Sequence, residues 1–599
     1  MDSKIAELAQ GWLKIDPNPR TRAKVQSLVD AGDEAALGKA MGSRLAFGTA
    51  GLRGPMGAGY SCMNEVTVLQ CTQGIVAYLQ KTNSADDLKA KGVVIGYDHR
   101  RNDTGVNSEA MALVAAAVCI HKGIKVYLYG KMVATPLVPF CVQHKGCAAG
   151  MMVTASHNPK DDNGYKMYGP NGAQLCEPHD TAISELILDN LAPWTDYEAK
   201  AKEVRASTLC VEDLDGISAE YFRQMAATLN YHSEDNAASE LKVVYTAMHG
   251  VGAPFAARAF AAFGLRPFVP VPAQNEPDPT FPTVAYPNPE EGKGALQLSF
   301  DAAAAAGSSL VLANDPDADR LAVAEKQPDG AWKVFSGNEI GMLLAHWLFK
   351  KATAAGTEPS KLAVVASTVS SKMTRALAQK EGMRFEETLT GFKWICNKKF
   401  DLQQQGLTVV LAFEESIGFC CGDIVNDKDG VSGAAVFAEM AVQLAKAGTS
   451  VTAHLDSLYE TYGHFVSRQG YVIVPDPSLT STIFDRLRPA PAGNGYPTTC
   501  GRFEIAHVRD LTTGYDSSTP DKKTTLPAST ASQHLTFTFA NGCVANLRGS
   551  GTEPKLKYYV ELHGPDREAV TAELLEMVKT IVGSFLEPER NTLKWAGVE

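Results

Sequence analysis

The chain has 599 residues, 45% hydrophobic and 21% charged, a composition ordinary for a globular protein. It is too long for one core, so roughly four domains are expected. A net charge of -11 argues against a general nucleic-acid or anionic-membrane surface, so any phosphate site must be a local basic cleft in an acidic protein. No apolar run reaches the length of a membrane span, and the 12 cysteines contain no C-x-x-C pair, which leaves neither a zinc site nor a disulfide framework. The first residues, Met1 to Glu7, lack the basic and apolar blocks of a signal peptide. The expectation is a cytoplasmic protein with no nucleic-acid and no membrane partner.

In chain order, residues 3 to 41 carry helical spacing, which Phe47 to Gly54 breaks with three glycines around Arg53. Such a loop can bring backbone N–H groups to an anion. A strand–helix–strand unit then appears three times. Gly92 to Asp98, Ser108 to Lys122 and Ile124 to Tyr129 form the first. Leu241 to Tyr245, Ala253 to Phe263 and Leu265 to Val271 form the second, and Leu362 to Ala366, Ser371 to Glu381 and Met383 to Glu387 the third. The strands are mostly short, apolar and β-branched. A glycine closes each helix, and the connections are long enough for parallel crossovers. Three similar α/β domains are expected, spaced by about 120 to 150 residues. The last part differs. Leu535 to Ala540 alternates, Asn541-Gly542 is a preferred hairpin turn, Cys543 to Leu547 returns, and Asp566 to Phe585 is helical, giving a smaller α+β domain. Asp510 to Ser532 is polar and reads as a surface loop with the composition of a lid.

Five stretches carry chemistry. Thr154 to Lys160 places the Ser156 hydroxyl, the His157 imidazole and the Lys160 ammonium ahead of an Asn158-Pro159 turn. Alone, a serine there is a turn residue. Asp315, Asp317 and Asp319 alternate after the apolar run Leu310 to Ala313. Oxygen-only donors select a hard cation, and three close carboxylates repel one another unless a dication neutralises them. An EF-hand loop is excluded, because Arg320 and Lys326 stand where that loop needs Gly and Glu. Magnesium is the expected ion, and Arg320 directly after the triad argues against a merely solvated turn. The third stretch is Gly391-Phe392-Lys393-Trp394. In the fourth, Glu414, Glu415 and Ser416 follow the apolar strand Val409 to Phe413 and suit sugar hydroxyls. In the fifth, Arg548, Ser550, Gly551, Thr552 and Lys557 combine guanidinium, hydroxyls, flexible backbone and ammonium, the inventory for gripping a phosphate dianion. No Walker spacing occurs anywhere.

The ordered set of serine loop, aspartate loop, glutamate loop and C-terminal phosphate loop resembles the α-D-phosphohexomutase superfamily along nearly the whole chain. Thr154 to Lys166, Asn314 to Arg320, Thr390 to Trp394, Arg509 to Asp516 and Thr552 to Lys555 are similar to its eukaryotic phosphoglucomutase and phosphopentomutase branch. The resemblance implies four domains around a central cleft, three similar α/β domains with mixed sheets and a smaller α+β C-terminal domain, with boundaries at 1–220, 221–335, 336–463 and 464–599. It implies a phosphorylated Ser156, with Ser156, Asp315, Asp317 and Asp319 as the magnesium-binding set. His157 and Lys166 match positions near the transferred proton, Lys393 the loop that distinguishes sugar orientations, and Glu414 and Ser416 the hydroxyl readers. Arg548, Ser550, Gly551, Thr552 and Lys557 match the clamp on the non-reacting phosphate, while Arg53 and Arg320 join the substrate-binding set. Two departures stand out. Pro316 replaces a common glycine, and Ile417 stands where the family has Phe in its Ser-Phe-Gly sequence, which bears on hexose preference.

The implied activity interconverts glucose 1-phosphate and glucose 6-phosphate, or ribose 1-phosphate and ribose 5-phosphate, through a sugar bisphosphate. Glucose 1,6-bisphosphate is the expected activator, sugar phosphates the partners and a monomer the expected state. One alternative is a bisphosphate synthase that loads Ser156 from an acyl phosphate. Another is a scaffold protein that kept the fold and lost the chemistry.

Overall fold

Each strand–helix–strand pattern forms because an apolar strand is followed by a capped helix long enough to cross back over the sheet. Val93–Tyr97 is buried at every position, which at roughly 1.5–3 kcal/mol per large apolar side chain favours the centre of a sheet. Ser108–His121 follows, started by the Asn107 side chain accepting from Ala110 N, and Val126–Leu128 returns parallel to the first strand. Val243–Thr246, Ala253–Ala262 and Val269–Pro270 repeat the arrangement. Leu362–Ser367, Met373–Glu381 and Arg384–Thr388 supply the same elements a third time. The second returning strand is shorter than its sequence pattern, and Pro267, just ahead of it, has no N–H to donate.

The computed structural model describes residues 3–48, 51–476, 478–489, 495–530, 532–550, 554–595 and 597. The chain divides into one unit of Met1–Ala366 with Gly391–Val451 and another of Ser367–Thr390 with Thr452–Glu599. No helix of the described residues is long and apolar enough to cross a membrane.

In the first unit, every sheet gains a parallel strand that turns back on itself. Ala149–Val153 lies parallel to Val93–Tyr97 and returns as Asp162–Tyr168. Leu310–Ala313 lies parallel to Val243–Thr246 and returns as Ala322–Lys326. Thr408–Glu414 lies parallel to Leu362–Ser367 and returns as Gly418–Cys421. The sheets are therefore mixed. The same hairpin in each carries the serine, aspartate or glutamate loop, so three motifs far apart in sequence occupy equivalent places in three sheets.

Ahead of these sheets, the helices Ser3–Ile15, Pro19–Ala31 and Glu34–Met41 pack on Trp12, Val25, Leu37 and Tyr60. The glycine stretch around Arg53 is explained mainly by a close approach of strands. Leu52–Pro55 pairs with Asp162–Tyr168, and a Cβ on Gly51 would stand 1.9 Å from Tyr165 O. Thr49 and Ala50 lie outside the described residues.

The second unit contains an antiparallel sheet in the order His464–Ile473, Lys555–Gly564, Val544–Gly549, His534–Phe539, Phe503–Asp510, Thr499–Cys500. The Asn541-Gly542 turn forms as expected, with Gly542 at φ 85°. Arg567–Ile581 lays Val570, Leu574, Met577 and Val578 on the sheet. Beyond it the chain widens into a π turn over Val582–Leu586, so the regular helix is shorter than its periodicity. Asp510 to Ser532 is exposed or half-buried over most of its length, as its polar composition indicates, but it is tethered at its base. Tyr515–Asp516 pairs back on Arg509 and Asp510, and Ser529 N bonds to Leu511 O. Asp510 is fully buried, bonded to Arg488 Nε at 2.7 Å and Tyr496 OH at 3.0 Å.

The loop after Val243–Thr246 supports the aspartate loop. Met248 and His249 have left-handed φ values of 49° and 61°, Val251 N donates to Pro316 O at 2.8 Å, and a Cβ on Gly250 would lie 2.2 Å from Pro316 Cα. Gly250→Ala is expected to cost on the order of 2–4 kcal/mol, read as a lower urea midpoint. An unchanged midpoint would show that the contact yields freely.

Candidate active site

Ser156 sits in the hairpin between Ala149–Val153 and Asp162–Tyr168 at φ 54°, 3% exposed. A serine in the left-handed region costs of order 1–3 kcal/mol and persists only where its surroundings hold it. Thr154 Oγ1 accepts from Ser156 N at 3.0 Å. Ser156 Oγ donates to Asp315 Oδ2 at 2.6 Å and lies 3.2 Å from His157 Nδ1. The His157 imidazole is held well below its ordinary pKa by burial and by Arg320 and Arg53. It is therefore a neutral ring beside the hydroxyl.

Asp315, Asp317 and Asp319 are all completely buried, and each offers an oxygen within 4.8 Å of the others. Burial, with Asp317 and Asp319 beside it, pushes Asp315 well above the usual carboxylate range. Burial also works to raise Asp317, but the Lys166 ammonium overrides it and holds that carboxyl below its ordinary value. Lys166 Nζ bonds Asp317 Oδ2 and Asp319 Oδ2, each at 2.9 Å, and Thr135 Oγ1 adds 2.8 Å to Asp317 Oδ2. Burial opposes the charge on Lys166, yet Asp317 and Asp319 raise its pKa. In this state it is a cationic donor. Among the described residues, Asp317 Oδ1 and Asp319 Oδ1 have no hydrogen-bond partner. Buried, oxygen-only, anionic and with two spare oxygens, the triad fits a hard divalent cation.

The glutamate loop is stitched to the aspartate loop. Arg320 Nη1 donates to Ser416 O at 3.0 Å, Leu321 N to Ile417 O at 3.1 Å, and Arg320 N to Asp315 Oδ1 at 3.0 Å. Glu414 is pushed up to about 7, chiefly by burial, while Lys428 pulls the other way and Glu415 adds to the rise. Ser416 Oγ donates to Glu415 Oε1 at 3.3 Å. Ile417 is 1% exposed, so its replacement of Phe is a packing matter before it is a sugar contact. Arg53 Nη1 reaches Asn158 Oδ1 at 3.1 Å and so joins the serine loop. Lys393 instead pairs with Asp180 at 3.9 Å and lies over Trp394, apart from the carboxylate cluster's own hydrogen bonds.

Two residues that the sequence reading passed over complete this constellation. Arg100, 1% exposed, donates through Nη2 to Ser156 O and Asn158 O at 2.7 Å each, and through Nη1 to Pro159 O at 2.7 Å and Asp162 O at 3.0 Å. One guanidinium thus holds four carbonyls of the serine loop. Lys428 lies 3.3 Å from Asp319 Oδ2 and 3.8 Å from Asp427 Oδ1. Their signals were charged runs, Asp98 to Arg101 directly after a strand and Asn426 to Asp429 directly ahead of the helix Gly430–Lys446.

The second unit holds the remaining candidates. Arg548 stands in cross-strand register with Lys557 on one side and with His534 on the other. His534 is depressed to about 3, first by burial and then by Arg548 and Arg509. Ser550 N bonds to Lys555 O at 2.9 Å. Gly551 and Thr552 lie outside the described residues.

Comparison with known proteins agrees with this geometry. The three α/β/α domains of the phosphoglucomutase/phosphomannomutase family match in order, domain I over residues 44–192, domain II over 219–330 and domain III over 336–462. The chain therefore belongs to that family, within the α-D-phosphohexomutase superfamily. It is 48% identical over 602 residues to the phosphopentomutase of Mus musculus, covering 99% of this chain and 96% of that protein. It is 45% identical over 595 residues to the glucose 1,6-bisphosphate synthase of Pongo abelii, covering 98% and 95%. The open form of the Paramecium phosphoglucomutase parafusin shares the fold with a TM-score of 0.64 at 16% identity, over 91% of this chain and 96% of that one.

Arg100→Lys keeps the charge but loses the fork that spans four carbonyls. Hydrogen exchange across Thr154 to Asp162 is expected to quicken, with activity falling roughly 10- to 100-fold. Unaltered exchange in that segment would remove the clamp from the account.

Proposed function

We propose that the protein is a phosphosugar mutase in which Ser156 Oγ carries the transferred phosphoryl group. The observation that carries the reading is the 2.6 Å contact of Ser156 Oγ with Asp315, inside a buried triad of carboxylates countered by Lys166. In the first half-reaction the P–Oγ bond of phosphorylated Ser156 breaks as a free hydroxyl of the bound sugar phosphate forms a new O–P bond, and the proton that this hydroxyl loses is returned to Ser156 Oγ. A bisphosphate results. In the second half-reaction the other sugar O–P bond breaks as Ser156 Oγ forms the new O–P bond, and the Ser156 proton passes by way of Asp315 Oδ2 or His157 Nδ1, the two nearest acceptors, to the sugar oxygen that leaves. Magnesium, held by the three aspartates and the serine oxygen, would supply charge neutralisation at the phosphoryl group.

The protein's own groups then position and screen. Arg53 and Arg320 place guanidinium charge beside the serine and aspartate loops, and Glu414 and Ser416 offer acceptors to sugar hydroxyls. Lys393 serves the recognition of sugar orientation. Arg548, Ser550 and Lys557, with Gly551 and Thr552, take the phosphate that is not being transferred. Glucose 1,6-bisphosphate acts as activator by restoring the phosphoserine.

We read ribose 1-phosphate and ribose 5-phosphate as the preferred pair, supported by the 48% identity to a phosphopentomutase. The glucose phosphates are the secondary pair. The 45% identity to a glucose 1,6-bisphosphate synthase supports a second reading, in which an acyl phosphate loads Ser156 and the bisphosphate is released. One preparation, assayed with magnesium and a trace of glucose 1,6-bisphosphate, is expected to give kcat/KM at least about tenfold higher for ribose 1-phosphate than for glucose 1-phosphate. A hexose advantage would overturn the pentose preference. Bisphosphate accumulating only with an acyl phosphate donor would replace the mutase reading by the synthase.

A further inference from the structure

The stretch from Pro272 to Pro289 carries six prolines, and the proposed chemistry makes no use of it. It is sewn to the loop that supports the aspartates. His249 N donates to Gln274 O at 3.0 Å, and Asp278 N donates to His249 O at 2.9 Å. Gln274 Nε2 donates at 2.9 Å to Thr283 Oγ1, which also lies 2.7 Å from His249 Nε2, and Thr246 Oγ1 donates to Gln274 Oε1 at 2.7 Å. Gly250 and Val251, directly after His249, are the residues that lie against Pro316. Prolines fix φ and leave a chain few alternatives, so this stretch is held stiffly against the aspartate loop.

Within it stands Phe281, 3% exposed and at φ 45°. A bulky residue in the left-handed region is an outlier that persists only where neighbours over-determine it. Here the neighbours come from the first two α/β domains alike. The ring stands edge-on to His99, with centroids 5.3 Å apart, and to His249 at 6.4 Å. The guanidinium carbon of Arg100 lies over the ring, 5.1 Å from its centroid. Burial lowers His99 to about 4 and lowers His249 as well, so near neutral pH the charge that meets the ring is that of Arg100. Nη1 and Nη2 of that guanidinium are bonded to four carbonyls of the serine loop. Phe281 adds a cation–π attraction that an aliphatic side chain of similar size lacks.

We propose that Phe281 is a positioning residue for the phosphoryl transfer, a brace between the serine loop and the aspartate loop; the proposal rests on the mutase reading. One aromatic ring touches both the clamp on the serine loop and the chain beneath the aspartate loop. It thereby sets where Ser156 Oγ stands relative to Asp315, a contact of 2.6 Å between groups from two different sheets. A displacement of about 1 Å between reacting groups lowers transfer strongly. Phe281 acts through Arg100, so the expected signature is a lower kcat at an unchanged KM.

The test compares the full-length wild type with Phe281→Leu and with a protein carrying a trifluorinated phenylalanine in place of Phe281, which keeps the ring's shape and weakens its negative face. In Phe281→Leu, hydrogen exchange across Thr154 to Asp162 is expected to quicken, and kcat to fall at least about fivefold with KM within about twofold of the wild type. The fluorinated protein is expected to lose kcat in the same direction at an unchanged urea midpoint, which loss of packing alone does not produce. Wild-type kcat in the fluorinated protein, or unaltered exchange across Thr154 to Asp162 in Phe281→Leu, would overturn the proposal. Exchange does not depend on turnover. A wild type that converts no sugar phosphate would therefore contradict the mutase reading and leave the brace to be decided by exchange.

Discussion

Three aspartates buried within 4.8 Å of one another are the constraint from which the rest of the first unit follows. Removing that much like charge from water is among the most costly arrangements a fold can hold, and unpaired it would cost several kcal/mol per group. Lys166 comes from the first sheet's hairpin, Lys428 from beyond the third sheet's hairpin, and Arg320 from the aspartate loop itself. Each of the three sheets thus contributes a cation or an anion to one cluster. The spare oxygens of Asp317 and Asp319 leave room for a divalent ion to complete the balance.

The same hairpin, repeated in three sheets, is how the chain reaches this arrangement. Each hairpin contains one residue other than glycine in the left-handed region: Ser156, Ala318 and Ile417. At about 1–3 kcal/mol apiece, such strain survives only where neighbours over-determine the backbone. Four carbonyls on Arg100 do this for the serine loop. Val251 and Gly250 beneath Pro316 do it for the aspartate loop, and Arg320 and Leu321 bonded to Ser416 and Ile417 do it for the glutamate loop. The strain and its supports keep the Ser156 hydroxyl aimed at Asp315, as the proposed phosphoryl transfer by positioning requires.

Much of this was legible in the sequence because the reactive groups cluster locally. Asp315, Asp317 and Asp319 alternate, and Ser156 sits beside His157, so composition and spacing point to the chemistry before any contact is known. The three strand–helix–strand units were likewise visible in their apolar runs and glycine caps. What stayed hidden acts across the fold. Arg100 and Lys428 look like surface charge in the sequence and become buried only because distant carbonyls and Asp319 meet them. Mixed sheets were expected from the resemblance, but the position of the first return strand was not legible, because Asp162–Tyr168 mixes polar and aromatic residues in a strand that is buried nearly throughout. Asp510 to Ser532 reads as a surface loop and is exposed or half-buried over most of its length, but the partners of its buried first residue, Arg488 and Tyr496, come from elsewhere in the unit. Polar composition marks the surface only where no tertiary partner absorbs it.

The central claim is that Ser156 is the group that receives and returns the phosphoryl. The direct measurement is to incubate the protein with glucose 1,6-bisphosphate carrying isotopically labelled phosphate, locate the label by peptide mass spectrometry, and chase with unlabelled sugar phosphate. The account predicts one labelled phosphoryl per chain, on Ser156, released into product by the chase. Label on another residue, or label on Ser156 that the chase leaves in place, would contradict it.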